Sequence, residues 1–326
     1  MSQHSEIALL ADIGATNARF ALLAGDAPSA VTTYAVADYP TPVDAAREFL
    51  ATHGGGLQPK TAVIAAAGPV QNGRVTMVNA AWEVDEQQIQ QGLGLRSARV
   101  INDFAAQAWA LPGLQGADLV TLGEISPLPQ GTMVVMGPGS GFGLAAMTRN
   151  GGQESVLVTE AGHATLPAEN RRDDAIIQSM RDKFGHISIE RALSGPGLIH
   201  LYDAIAAIDE LSVPQRTAAE IVEHALAGDC AACRATLDAF CAFLGSVAGN
   251  AALTFGAVGG VFIAGGIAPR FTDFLRHSAF RDRFTAKGRL SAYLEPIPTS
   301  VVVHPNPAFL GLGRLARRLA MSPDLG

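Results

Sequence analysis

The sequence predicts an α/β protein of two domains with related topology, and three observations carry that expectation. At about 150 residues per domain, 326 residues give room for two cores. A pattern of apolar run, small-residue turn and second apolar run opens the chain at 7–24 and returns at 132–148. Between them lies a Pro/Gly-rich joint, Leu111-Pro-Gly-Leu-Gln-Gly116.

In the first half the runs 7–13, 18–24 and 30–36 alternate with turn residues and read as three antiparallel strands. Thr41 and Pro42 suit the N-cap and first position of a helix over 43–52, since a hydroxyl satisfies a free amide and proline has none to leave unpaired. Gly54 stops it. A strand over 61–67, a short strand over 74–78, a helix over 84–91 and a strand over 98–101 running into Asn102 follow. The second half starts again with strands over 132–137, 143–148 and 154–159. Helices over 173–184, 191–208 and 234–253, a strand over 260–264 and a helix after Gly266 come next. A helix over 309–319 ends the chain after Pro305-Asn-Pro307. The expected domains are 1–112 with 305–326, and 113–304.

Composition excludes several classes of partner. There are 30 acidic against 23 basic side chains, a net charge of −7, and no Lys/Arg-rich stretch. The electrostatic footprint of a nucleic-acid or anionic-membrane binder is missing, which leaves a small-molecule partner. Three cysteines cannot build a disulfide framework, and the start, MSQHSEIALLAD, has no basic segment before its apolar run, so a cytoplasmic location is expected. The stretch 239–269 carries no charge, yet Gly245, Gly249, Gly256, Gly259, Gly260, Gly265 and Gly266 punctuate it. It reads as a buried helix followed by a buried strand, since glycine pairs break a helix in water or lipid.

Glycine is enriched, 35 in 326 residues, and clustered. One turn reads Asp12-Ile-Gly14-Ala-Thr16-Asn-Ala-Arg19 and another Gly137-Pro-Gly139-Ser-Gly141-Phe-Gly143. Neither has the spacing of a Walker A loop or of a Rossmann fingerprint. Each offers backbone amides and a hydroxyl, from Thr16 or Ser140, to an anion. Each alone could be an ordinary hairpin; two at matching points of a repeat, one beside a strand-end Asp, favour the anion. A third cluster, Gly259-Gly-Val-Phe-Ile-Ala-Gly-Gly266, ends a strand before a helix, where α/β sheets hold ligands.

These segments, with Ile101-Asn-Asp-Phe104, Glu160-Ala-Gly-His163 and Glu190-Arg-Ala-Leu-Ser-Gly-Pro-Gly197, resemble the bacterial glucokinase family of hexokinase-type, ATP-dependent enzymes. The likeness runs from about residue 7 to about residue 318, in order. It implies two ribonuclease-H-like domains of the actin-like ATPase architecture, with an interdomain cleft that takes ATP and sugar. It implies ATP-dependent phosphorylation of D-glucose at the 6-hydroxyl, with ATP and Mg²⁺ as cofactors. Asp12, Gly14, Ala15, Thr16 and Asn17 resemble the first phosphate hairpin, with Asp12 meeting Mg²⁺ through water. Gly137, Gly139, Ser140 and Gly141 resemble the second hairpin, and Gly265 and Gly266 part of the adenosine site. Asn102, Asp103, Glu160, His163 and Glu190 match the glucose-binding positions, and Asp103 the catalytic base. Ala15 stands where the family usually has glycine; related actin-like kinases carry other small residues there.

Plainer roles compete at each position. Asp103 could simply cap a helix over 104–111. Glu160 and His163 could be a surface pair, and Glu190 a helix-start acid after Ser188. Cys230 and Cys233, with Cys241 eight residues on, have only His224 nearby, too few ligands for structural zinc, and read as thiols in a helix. The neighbouring sugar-kinase group that includes regulators uses a His-plus-cysteine zinc motif, but no cysteine lies between His163 and Cys230. Two alternatives stand beside glucose: a kinase preferring mannose or fructose, and a non-catalytic sugar sensor, for which the first strand at Ile7 leaves no DNA-binding segment. The sequence leaves the oligomeric state open, a homodimer included.

Overall fold

The computed structural model describes residues 6–77, 82–123, 131–150 and 152–321. The chain divides into two compact units, one running to Leu114 and resuming at His304, the other Gln115–Val303.

In the first unit β1 (Ala8–Ile13) and β2 (Asn17–Leu23) form an antiparallel hairpin whose register sets Asp12 opposite Arg19, and β3 (Thr32–Ala35) extends it. Helix α1 (Pro42–His53) starts where the Thr41 hydroxyl accepts the Asp44 amide at 3.2 Å. Strand β4 (Thr61–Ala66) lies parallel to β1. A two-stranded ribbon, β5 (Arg74–Thr76) and β6 (Glu83–Asp85), leads into α2 (Glu86–Leu93), which Gly94 ends in the left-handed region at φ 63°. The helix expected over 84–91 therefore begins two residues later, because the Asp85 carboxylate caps it and Val84 pairs in the ribbon. Val78, assigned to the short strand, lies outside the described residues. Strand β7 (Ser97–Asn102) runs parallel to β4 and passes directly into α3 (Asp103–Ala110). The sheet order is β3-β2-β1-β4-β7.

The second unit contains β8 (Leu119–Leu122), β9 (Met133–Pro138), β10 (Phe142–Asn150), β11 (Gln153–Thr159) and α4 (Arg171–Phe184). It continues with α5 (Ile189–Ala192), α6 (Gly195–Ile208), α7 (Ala218–Ala227), α8 (Ala231–Phe255) and β12 (Gly260–Ile263). Short helices α9 (Thr272–His277), α10 (Phe280–Thr285) and α11 (Ser291–Leu294) precede β13 (Thr299–Val302). Its sheet order is β11-β10-β9-β12-β13-β8. Numbered from its hairpin, β9 to β13 repeat the first sheet's order, two antiparallel and two parallel pairings included, with β8 added antiparallel at the edge.

The helix expected over 191–208 is two. Ser194 caps the second by accepting the Gly197 amide at 3.0 Å, and Pro196, which has no amide to donate backward, suits only a helix start. After Gly266 a 3-10 turn, Ala268–Phe271, intervenes before α9. The 25-residue α8 is largely buried, and Gly245 and Gly249 let the Phe280 and Phe284 carbonyls of α10 approach where a side chain would collide. Helix α12 (Pro307–Met321) returns to the first unit, where Gly311 admits the Ala106 carbonyl of α3 in the same way.

Candidate active site

In the first unit the chemistry gathers at the carboxyl ends of three parallel strands. The register places Ile13, Ala66 and Asn102 in one row across β1, β4 and β7, so Asp12 and Asp103 sit one residue to either side of it. Ligands in open α/β sheets occupy this end. Arg19 Nη1 lies 3.1 Å from Asp12 Oδ2. Burial nonetheless holds the Asp12 carboxyl above its ordinary value, the Arg19 charge opposing it. The Gly14 amide closes the hairpin on the Asn17 carbonyl at 2.9 Å, leaving Ala15, Thr16 and Asn17 exposed. Asn17 is already the first residue of β2.

The capping role read for Asp103 belongs to Asn102. Its Oδ1 accepts the Phe104 and Ala105 amides at 2.9 and 3.3 Å, and its Nδ2 donates to the Gly68 carbonyl at 3.1 Å. Asp103 is the first helical residue, and its Oδ1 also takes the Phe104 amide at 2.9 Å. Burial raises its carboxyl to about 6; the Phe104 amide lowers it and the Asp12 charge raises it further. A carboxylate that titrates near neutrality suits general-base work.

In the second unit three sequence-predicted segments converge on Phe142. The hairpin between β9 and β10 turns tightly, the Gly139 amide donating to the Gly141 carbonyl at 2.8 Å. The Phe142 amide donates to Glu190 Oε2 at 2.8 Å, and Gly141 has no side chain where that carboxylate lies. Gly162, inside the 3-10 turn Ala161–His163, packs bare against the Phe142 carbonyl. That turn carries Glu160 and His163, both exposed. The Gly195 amide holds the Gly139 carbonyl at 2.9 Å, so the start of α6 anchors the hairpin too.

The glycines separate by what surrounds them. A Cβ at Gly137 would strike the Ala264 carbonyl, and one at Gly265 the Pro138 carbonyl, so these two permit close passage of β9 and the end of β12. Gly139 and Gly266 face open space, nothing lying within 4 Å of a Cβ there, and their φ angles are ordinary. Packing within the chain does not require glycine at either position, whereas close approach of a phosphate or a base would.

The family model for glucokinase matches residues 9–319. A glucokinase of Caulobacter sp. (strain K31) is 45% identical over 322 residues, 98% of this chain and 96% of that protein. The chain belongs to the glucokinase family. The glucokinase of Paramagnetospirillum magneticum is 40% identical over 95% of this chain and 98% of its own length. The crystal structure of a glucokinase from an Antarctic psychrotroph superposes with a TM-score of 0.88 at 38% identity, covering 96% of this chain and 99% of that one. A Balamuthia mandrillaris glucokinase in complex with glucose, 19% identical, shares the fold at a TM-score of 0.80, covering 96% of this chain and 94% of that one.

Against that family background, Arg19, Gly162 and Gly195 went unread in the sequence. Arg19 was accessible, because a hairpin closed at Gly14 and Asn17 must pair it with Asp12. Gly162 and Gly195 act through backbone contacts with Phe142 and Gly139, distant in sequence, and carry no local signal.

Proposed function

We propose that this glucokinase-family chain transfers the γ-phosphoryl group of ATP to the 6-hydroxyl of D-glucose, giving glucose 6-phosphate and ADP. The observation that carries this reading is Asp103, a partly buried carboxylate at a strand end whose neighbour Asn102 has taken over the helix cap. It accepts the proton of the 6-hydroxyl as that oxygen bonds to the γ-phosphorus and the bond to ADP breaks. Phosphoryl transfer asks a protein mainly to position the reactants and stabilise charge. Asn102, Glu160, His163 and Glu190 supply acceptors and mixed donors suited to sugar hydroxyls. Thr16, Asn17, Ser140 and the bare backbone at Gly14 and Gly139 supply donors for phosphates, and Gly265 with Gly266 a flat bed for adenosine.

Asp12 Oδ1 is the oxygen that Arg19 leaves free, and one carboxylate completed by substrate phosphates and water fits Mg²⁺. Bound there, the ion would neutralise phosphate charge. The shared sheet order supports reading both units as ribonuclease-H-like, of the actin-like ATPase architecture. A cytoplasmic location accords with α8 being a core helix. A coupled ADP-release assay with glucose, mannose, fructose and N-acetylglucosamine tests the proposal: glucose should give the highest kcat/KM, and a higher value with another sugar would reassign the substrate.

A further inference from the structure

The C-x-x-C at 230–233 does not lie wholly in a helix, as its sequence suggested. Cys230 is the N-cap of α8, only partly buried, and its Sγ accepts the Cys233 amide at 3.2 Å. Cys233, one turn into the helix, is buried, and its amide is the one that Cys230 Sγ accepts. With Cys230 Sγ against the backbone of Cys233, the two lie within one helical turn, the outer sulfur partly exposed to attack and the inner one shielded.

The charged groups around the pair come from three elements. Arg216, in the segment between α6 and α7, acts on both sulfurs, and its Nε is buried with no hydrogen-bond partner among the described residues. Tyr202 of α6 donates to the Pro214 carbonyl at 3.3 Å, two residues before Arg216. Asp229 precedes Cys230, but the ring of His224 on α7 holds its carboxylate at 2.8 Å. Burial tends to raise the Cys230 thiol, yet the Cys233 thiol and amide, the Arg216 charge and the Ala232 amide outweigh it, leaving it below its ordinary value. Burial, with the Cys230 sulfur beside it, pushes Cys233 up to about 12. Cys241, two turns further along α8, is buried and likewise pushed to about 12.

We propose that Cys230 and Cys233 form a thiol–disulfide exchange site whose substrates are small disulfides such as oxidised glutathione. The Cys230 thiolate attacks one sulfur of the small disulfide, forming a mixed disulfide and expelling one glutathione thiolate. That step removes the Cys230 charge beside Cys233, which eases deprotonation of the inner thiol. The Cys233 thiolate then attacks the Cys230 sulfur, forming the intramolecular disulfide and expelling the second glutathione. Two thiol protons pass to the two glutathiones, and two electrons pass from the protein to the small disulfide.

Intact-mass analysis of the folded enzyme after incubation with oxidised glutathione tests this. The wild type should become lighter by two hydrogens. Cys233→Ser should stop at one glutathione adduct on residue 230. Cys230→Ser, in which serine keeps the N-cap, should gain no adduct at the wild-type rate. Thermal melting confirms that each variant is folded. A wild type that stays unmodified, or that accumulates the mixed disulfide without resolving it, overturns the proposal, as does a Cys230→Ser variant modified as fast as the parent.

Discussion

Asp103→Asn separates catalysis from structure, and the structure gives both arms a size. The amide keeps an oxygen that can accept the Phe104 amide, while the principal cap, Asn102, is untouched. What it removes, on the proposed reading, is the base. General-base catalysis is worth about 10²–10⁴-fold, so kcat should fall by at least that lower figure while glucose still binds. Stability should move the other way. Burial lifts the carboxyl from 3.8 to about 6, so the ionised form is disfavoured in the folded protein. For a carboxyl raised by folding, that penalty is fully present above the folded value, shrinks as pH falls through about 6, and is gone below the unfolded value. Its upper bound at pH 8 is about 3 kcal/mol, from 1.36 kcal/mol per pH unit. The variant should therefore melt at or above the wild-type temperature at pH 8 and show no advantage near pH 3.5. In the wild type kcat/KM should rise with pH through about 6, as the base ionises. Steady-state kinetics with thermal melts at both pH values decides. More than about a tenth of wild-type kcat in folded Asp103→Asn, or a melting temperature several degrees lower at pH 8, would refute the reasoning.

Four further outcomes follow from the same geometry. Glu160→Ala or His163→Ala should raise the glucose KM by about 5- to 150-fold, the equivalent of about 1–3 kcal/mol for an unpaired hydroxyl, with the ATP KM little changed; a loss of ATP affinity instead would contradict the assignment. Glu190→Gln should raise the glucose KM alone, because the amide oxygen still accepts the Phe142 amide, whereas Glu190→Ala frees that amide and should weaken ATP as well. Equal effects of the two on ATP would remove Glu190 from the hairpin's support. Gly137→Ala should lower the melting temperature by several degrees through its collision with the Ala264 carbonyl, while Gly139→Ala should melt normally and lose ATP affinity. Complete chelation of divalent ions should abolish activity and Mg²⁺ restore it, with no stoichiometric zinc by elemental analysis, since the described residues hold no cluster of three or more metal-binding side chains.

Strongly patterned elements were legible in the sequence: β1 and β2 around a glycine turn, α1 behind Thr41-Pro42, and α12 with its apolar stripe. Some short strands, β3, β5 and β12, were legible too, but β6, β8 and β13 were not. β8 and β13 are four residues each, too short for a periodic pattern, and are held by pairing with each other across the sheet. Helix α7 carried a readable signal in Thr217 and Glu220, which form a reciprocal capping box. At Asn102-Asp103 two good capping residues stand side by side, and sequence alone does not choose between them. The choice is tertiary: Asn102 can also donate to the Gly68 carbonyl, 34 residues away, which an aspartate cannot do. The bond between Glu190 and Phe142 spans 48 residues and was invisible for the same reason.

The repeated sheet order explains why like turns recur but does not make the two units chemically alike. In each, the first strand enters a hairpin and the fourth strand ends beside it, so a residue after either strand reaches the same edge of its own sheet. The first unit places carboxylates at that end, Asp12 in β1 and Asp103 after the neighbouring β7, near enough that the Asp12 charge raises Asp103. The second fills it with backbone, Gly137 to Gly141 and Gly265 to Gly266, and keeps the carboxylate beside Gly141, Glu190, occupied by an amide. Two carboxylates beside a polyphosphate would repel it without a cation, whereas amides attract it at any pH and any metal concentration. On the proposed reading, anion binding that depends on a metal therefore belongs to the first hairpin and metal-independent binding to the second. Without Mg²⁺, nucleotide affinity should not fall with Asp12→Ala, which removes one repelling charge, and should fall with Gly139→Ala; calorimetric titration of ATP into the two variants in chelator measures this, and a loss with Asp12→Ala alone would reverse the division.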